Sequence, residues 1–130
     1  MKKRVIIILG LLMLSLVACT STSELDFNSL PEGDIARGET LYSENINGAP
    51  SCVSCHLLSE SPMVGPGLGG YSEIASTRIE GQSAEEYTFN AIVRPATHLV
   101  EGYNNLMYSR YGTKLEEQDL ADLISFLLTQ

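Results

Sequence analysis

An all-α fold is predicted for this chain of 130 residues, and three observations predict it. Leu120, Leu123, Ile124, Leu127 and Leu128 recur at the spacing of one helix face, so the last segment reads as an amphipathic helix. Ser83 with Glu86 three residues on forms a capping-box signature, opening a helix over roughly Ala84 to Val93 that ends before Pro95. Strand signals are nearly absent. The chain is short and has no internal repeat, so it holds one small domain.

The elements follow in chain order. Met1-Lys2-Lys3-Arg4 is a basic lead, and Val5 to Ala18 is an uncharged apolar run of about 14 residues, shorter than the roughly 20 that a membrane-spanning helix needs. Residues 1–18 therefore read as an export signal peptide. The run ends in Leu16-Val17-Ala18-Cys19, which resembles the lipobox of bacterial lipoproteins: small residues admit the peptidase, and Cys19 offers a thiol for a diacylglyceryl thioether. The alternative is an ordinary secretory signal cut near Ala18 that leaves Cys19 free. Lipidation gives this unpaired cysteine a purpose.

Loss of residues 1–18 removes three bases, so 5 Lys and Arg face 16 Asp and Glu, a formal charge of −11. Such a chain repels nucleic acid and anionic headgroups and is steered toward basic partner surfaces. Acidity that merely maintains solubility is the alternative. Thr20 to Pro31 is polar and rich in Ser and Thr, so residues 19–31 are expected to be a lipidated cysteine followed by a flexible linker. Such a linker has a coil reach of about 20 Å and an extended limit of about 40 Å. The folded domain is expected over 32–130.

Ser51-Cys52-Val53-Ser54-Cys55-His56 carries the chemistry, and three uses compete for it. Structural zinc requires four ligands; with Cys19 lipidated, only Cys52, Cys55, His56 and His98 remain, with no second paired motif. A thioredoxin-like dithiol fits an exported Cys-x-x-Cys, but that motif sits at a strand end in a βαβ setting. Covalent haem attachment fits the whole motif: two thiols three positions apart add to the vinyl groups, and the adjoining imidazole reaches the iron.

From Asp34 to Leu128 the sequence resembles a small monohaem class I cytochrome c. Asp34-Ile35-Ala36-Arg37-Gly38-Glu39-Thr40-Leu41-Tyr42 is similar to the family's first helix, with a small residue four before an aromatic. The resemblance implies that this helix crosses the last one, with Gly38 against the Phe126 region. A glycine there, which costs about 1 kcal/mol relative to alanine in a helix, is explained by close approach. Gly65-Pro66-Gly67-Leu68 resembles the turn in which a proline carbonyl accepts the proximal imidazole N–H, so Pro66 would orient His56. Met107, His98 and Lys114 are candidates for the sixth iron ligand. Asn104-Asn105-Leu106-Met107, followed by Tyr111-Gly112, resembles the family's methionine loop and selects Met107. Many relatives place proline directly after that methionine; Tyr108 stands here and makes the loop less rigid. Met63 belongs by position to the proximal loop. Arg78 matches a position where a base meets a haem propionate, with a plain surface charge as the alternative. Tyr71, Tyr87, Tyr103 and Tyr108 either pack on the macrocycle or fill helix contacts.

The resemblance implies a class I cytochrome c fold of three to five short helices around one covalent haem c, with irregular loops enclosing it. Expected ligands are Cys52, Cys55, His56, Pro66, Arg78 and Met107, with His56 and Met107 on the iron and no catalytic residue. The expected function is electron transfer between membrane redox complexes, by a carrier on the outer face of a bacterial membrane or a cytochrome subunit. The pattern from Gly81 through Tyr103 to Leu128 resembles cytochrome subunits and domains of bacterial respiratory or photosynthetic assemblies, including alternative complex III and haem–copper terminal oxidases. A haem peroxidase or gas sensor, which needs an open iron position, is the competing class.

Overall fold

The computed structural model describes residues 24–130. The expected signal peptide, Cys19 and the start of the expected linker lie outside the described residues. Helix α1, Ile35–Ser43, begins where the Asp34 side chain accepts the Arg37 N–H at 3.0 Å. A short α2, Tyr71–Ala75, follows Gly70, whose φ of 69° is left-handed and suits a residue without Cβ. Helix α3, Ala84–Val93, starts where Ser83 Oγ accepts the Glu86 N–H at 3.2 Å and stops before Pro95, as the capping signature predicts. Helix α4, Glu117–Leu127, buries Leu120, Leu123, Ile124 and Leu127. Among the described residues the only extended pairing is a bridge between Ile46 and Ala49, so the all-α expectation is met.

Helices α1 and α4 cross at Gly38, as the resemblance implies. A Cβ there would collide with the Asp122 carbonyl and sit 2.7 Å from Phe126 Cβ, so only glycine lets the backbones approach this closely. Gly33 meets Ala121 and Ser125 in the same way. The crossing is locked by charge as well as shape. The Arg37 guanidinium pairs with Asp119 and Asp122, while Asp122 also accepts the Asp34 N–H at 2.7 Å and Gln118 Nε2 at 2.8 Å. Burial pushes the Asp122 carboxyl up, yet these donors together hold it below its ordinary value. A buried carboxylate is tolerated only when so satisfied.

The structure corrects one expectation. The stretch predicted as flexible linker is docked from residue 24 onward: Leu25, Phe27 and Leu30 pack on the core, and Phe27–Ser29 forms a 3-10 turn. The Phe27 ring meets Phe89 edge-on at 5.8 Å. Three apolar side chains spaced among Ser, Asp and Asn supply enough burial to order a segment whose average composition is polar.

Candidate haem site

A 3-10 turn, Cys52–Ser54, arranges the attachment motif, with the Cys55 and His56 N–H groups both donating to the Cys52 carbonyl, at 3.1 and 3.0 Å. The motif is fixed from three sides. Tyr42 on α1 donates its hydroxyl to the His56 carbonyl at 2.6 Å, Tyr111 donates to the Pro50 carbonyl at 2.7 Å, and the Gly65 N–H donates to the Cys55 carbonyl at 2.9 Å. The His56 ring is then oriented by its Nδ1, which lies 2.9 Å from the Pro66 carbonyl oxygen. A carbonyl only accepts, so Nδ1 carries the proton and Nε2 keeps a lone pair for a metal. The Pro66 geometry implied by the resemblance is therefore present.

Gly65 is a site residue that sequence reasoning treated only as part of a turn. A Cβ there would lie 2.8 Å from His56 Nδ1 and closer still to the ring carbon beside it. The requirement for glycine comes from the ring's position, which spacing along the chain does not reveal.

Cys52, Cys55, His56, Pro66 and Met107 all line one cleft with a cavity volume of about 380 Å³. Its remaining wall is largely apolar, with Leu68, Ile92, Leu123 and Leu127 among the contributors. Tyr71, Tyr87, Tyr103 and Tyr108 line it too. Burial pushes the Tyr42 and Tyr71 hydroxyls each up to about 12 and raises those of Tyr87 and Tyr111, so all four stay neutral. Thr88 gives its own hydroxyl proton to the Ala84 carbonyl at 2.6 Å, which makes Tyr71 the donor in the 3.0 Å pair they share.

The other candidates separate. His98 lines the same cleft, edge-on to Tyr87 at 5.7 Å. Lys114 and Met63 do not line it; Met63 is 48% exposed. Arg78 is half-buried and near enough to Tyr71 and Tyr87 for its charge to act on both hydroxyls, which sets it beside the cleft but not in its lining.

The chemistry of the donors fits haem and not the competing uses. Burial pushes the Cys52 thiol up to about 11, so it rests as a neutral thiol and not as a ready redox nucleophile. Among the described residues no three His, Cys, Asp or Glu side chains converge to hold a metal ion. An apolar cleft with two thiols at one edge, an oriented imidazole and a thioether suits a macrocycle bound by thioether bonds and axial ligands. A family model described as cytochrome c matches residues 35–130. No curated protein matches the chain.

Proposed function

Since the chain belongs to the cytochrome c family and carries covalently bound haem c, we propose that it is an exported, lipid-anchored electron carrier whose iron is held by His56 and Met107. The architecture is that of an all-α class I cytochrome c. The observation that supports the reading best is a single cleft holding both an imidazole, with Nδ1 committed to Pro66, and the Met107 thioether. In this reading Cys52 and Cys55 fix the macrocycle edge, and Arg78 meets a propionate. The bound group supplies a one-electron ferric/ferrous couple. With His56 and Met107 both holding the iron, the chain would leave no position for oxygen or peroxide, and the protein's part would be to exclude water and to favour the ferrous state through sulfur ligation. The apolar lining suits this, because little has to reorganise when an electron arrives.

Acidity directs such a carrier to basic surfaces of membrane redox complexes, as a tethered shuttle or a cytochrome subunit of alternative complex III or a terminal oxidase. With Leu25 to Leu30 docked, only four residues separate Cys19 from Glu24, an extended limit of about 18 Å over the five Cα steps. The domain then works close to the membrane.

Acidified-acetone extraction of the expressed protein is expected to leave the haem on the chain, because both thioethers survive it. Colour moving into the solvent would remove the attachment role of Cys52 and Cys55. Cys19→Ser is expected to release the haem protein into the soluble fraction or to block its processing, since stable anchoring takes more than one acyl chain and a diacylglyceryl group supplies two. Unchanged membrane retention in high salt and carbonate would mean another anchor.

A further inference from the structure

We infer that residues 24–30 are a clamp on the methionine loop, with Phe27, Glu24 and Arg94 as positioning residues that keep the iron's sixth side closed. The starting observation is how little else holds that loop. Among the described residues, the hydrogen bonds made by 96–109 are all local: Thr97 to Arg94, Tyr103 to Val100 at 3.1 Å, and Leu106 to Asn104 at 2.8 Å. No hydrogen bond ties this stretch to another element, and Leu106 is 68% exposed. The loop is positioned by the packing of Met107 and Tyr108, by His98 on Tyr87, and by its root at Arg94.

That root is gripped by the N-terminal segment. Both the N–H and the hydroxyl of Thr97 donate to the Arg94 carbonyl, at 2.9 and 2.8 Å. The Arg94 side chain is held at three points: Asn90 Oδ1 at 3.1 Å, Glu24 Oε1 at 2.8 Å, and the Phe89 ring face at 5.7 Å. Phe27 seats on that same Phe89 ring. The far end of the segment is tied to α4, where Ser29 Oγ donates to Glu117 Oε1 at 3.0 Å and Gln118 Nε2 donates to the Glu32 carbonyl at 2.9 Å. The segment thus bridges the start of α4 and the end of α3, while Thr88, Ala91 and Ile92 of α3 line the haem cleft. The Glu24–Arg94 pair is exposed, at 83% and 41%, so by itself it contributes little. Phe27 supplies most of the grip, and the ion pair fixes where the guanidinium lies.

Lifting the clamp therefore loosens the loop root and raises the population in which Met107 is off the iron. Imidazole, which competes for the sixth position of the ferric holoprotein, reads by stopped-flow absorbance, at saturation, the rate at which that open form is reached. Phe27→Ala is expected to raise the saturating rate of imidazole binding about tenfold, and Glu24→Gln by less. Hydrogen exchange should speed up across 96–107 in both. Arg37→Gln, which weakens the α1–α4 crossing away from the loop, is the control for general destabilisation and should leave both readouts unchanged. Equal acceleration in Arg37→Gln and Phe27→Ala, or wild-type hydrogen exchange across 96–107 in Phe27→Ala, overturns the inference. Should Phe27→Ala not retain haem, Phe27→Leu and Glu24→Gln replace it, and wild-type hydrogen exchange across 96–107 in both overturns the inference equally. The imidazole probe rests on Met107 as ligand. Hydrogen exchange does not, so faster exchange in 96–107 with unchanged imidazole binding would fault the ligand assignment and leave the clamp standing.

Discussion

Met107→Ala is expected to convert the ferric protein from low-spin to mostly high-spin, lower its midpoint potential, and allow cyanide, and in the ferrous form carbon monoxide, to bind. The physical reason is that alanine leaves the cleft without a thioether, and thioether ligation is what favours the ferrous state. Peroxidase activity should appear as a consequence of the open position. His98 lines the same cleft, and the comparison with His98→Ala is therefore decisive. His98→Ala should change none of these properties. If His98 is the ligand instead, the unaltered protein shows a bis-histidine spectrum with a lower starting potential, and Met107→Ala barely moves it.

Gly38→Val is expected to abolish the α1–α4 crossing. Even a methyl group at this position overlaps the Asp122 carbonyl, and the Arg37 pairs with Asp119 and Asp122 depend on the same approach. Overpacking typically costs about 1–3 kcal/mol, but a branched side chain driven against backbone that cannot give way belongs to the rare class above about 4 kcal/mol. A small domain has roughly 5–15 kcal/mol to lose. Gly38→Ala separates the terms: it gains about 1 kcal/mol of helix propensity and should still lower the urea midpoint. An unchanged or higher midpoint for either variant would show that the helices do not meet at this residue.

What could be read from sequence was what local spacing encodes. The attachment motif, the capped start of α3 with its stop before Pro95, the apolar face of α4 and the small residue at Gly38 are all written within a few residues of chain. The docked segment was hidden because Leu25, Phe27 and Leu30 are diluted by polar neighbours and follow no helical or strand period. Nothing local to Asp122 announces its burial, which follows from Arg37, 85 residues away, arriving at the crossing. Gly65 is required by the ring of His56 folding back over it, which is a tertiary contact. Five-residue α2 is too short to show a period at all.

The most direct test of a closed electron carrier is the ligation state of the unaltered ferric holoprotein. Electron paramagnetic resonance with near-infrared magnetic circular dichroism distinguishes the pairs of axial ligands. A low-spin signal from one imidazole and one thioether is the result expected from His56 and Met107. A high-spin ferric protein that binds peroxide readily would contradict the account and make the site that of an enzyme or sensor.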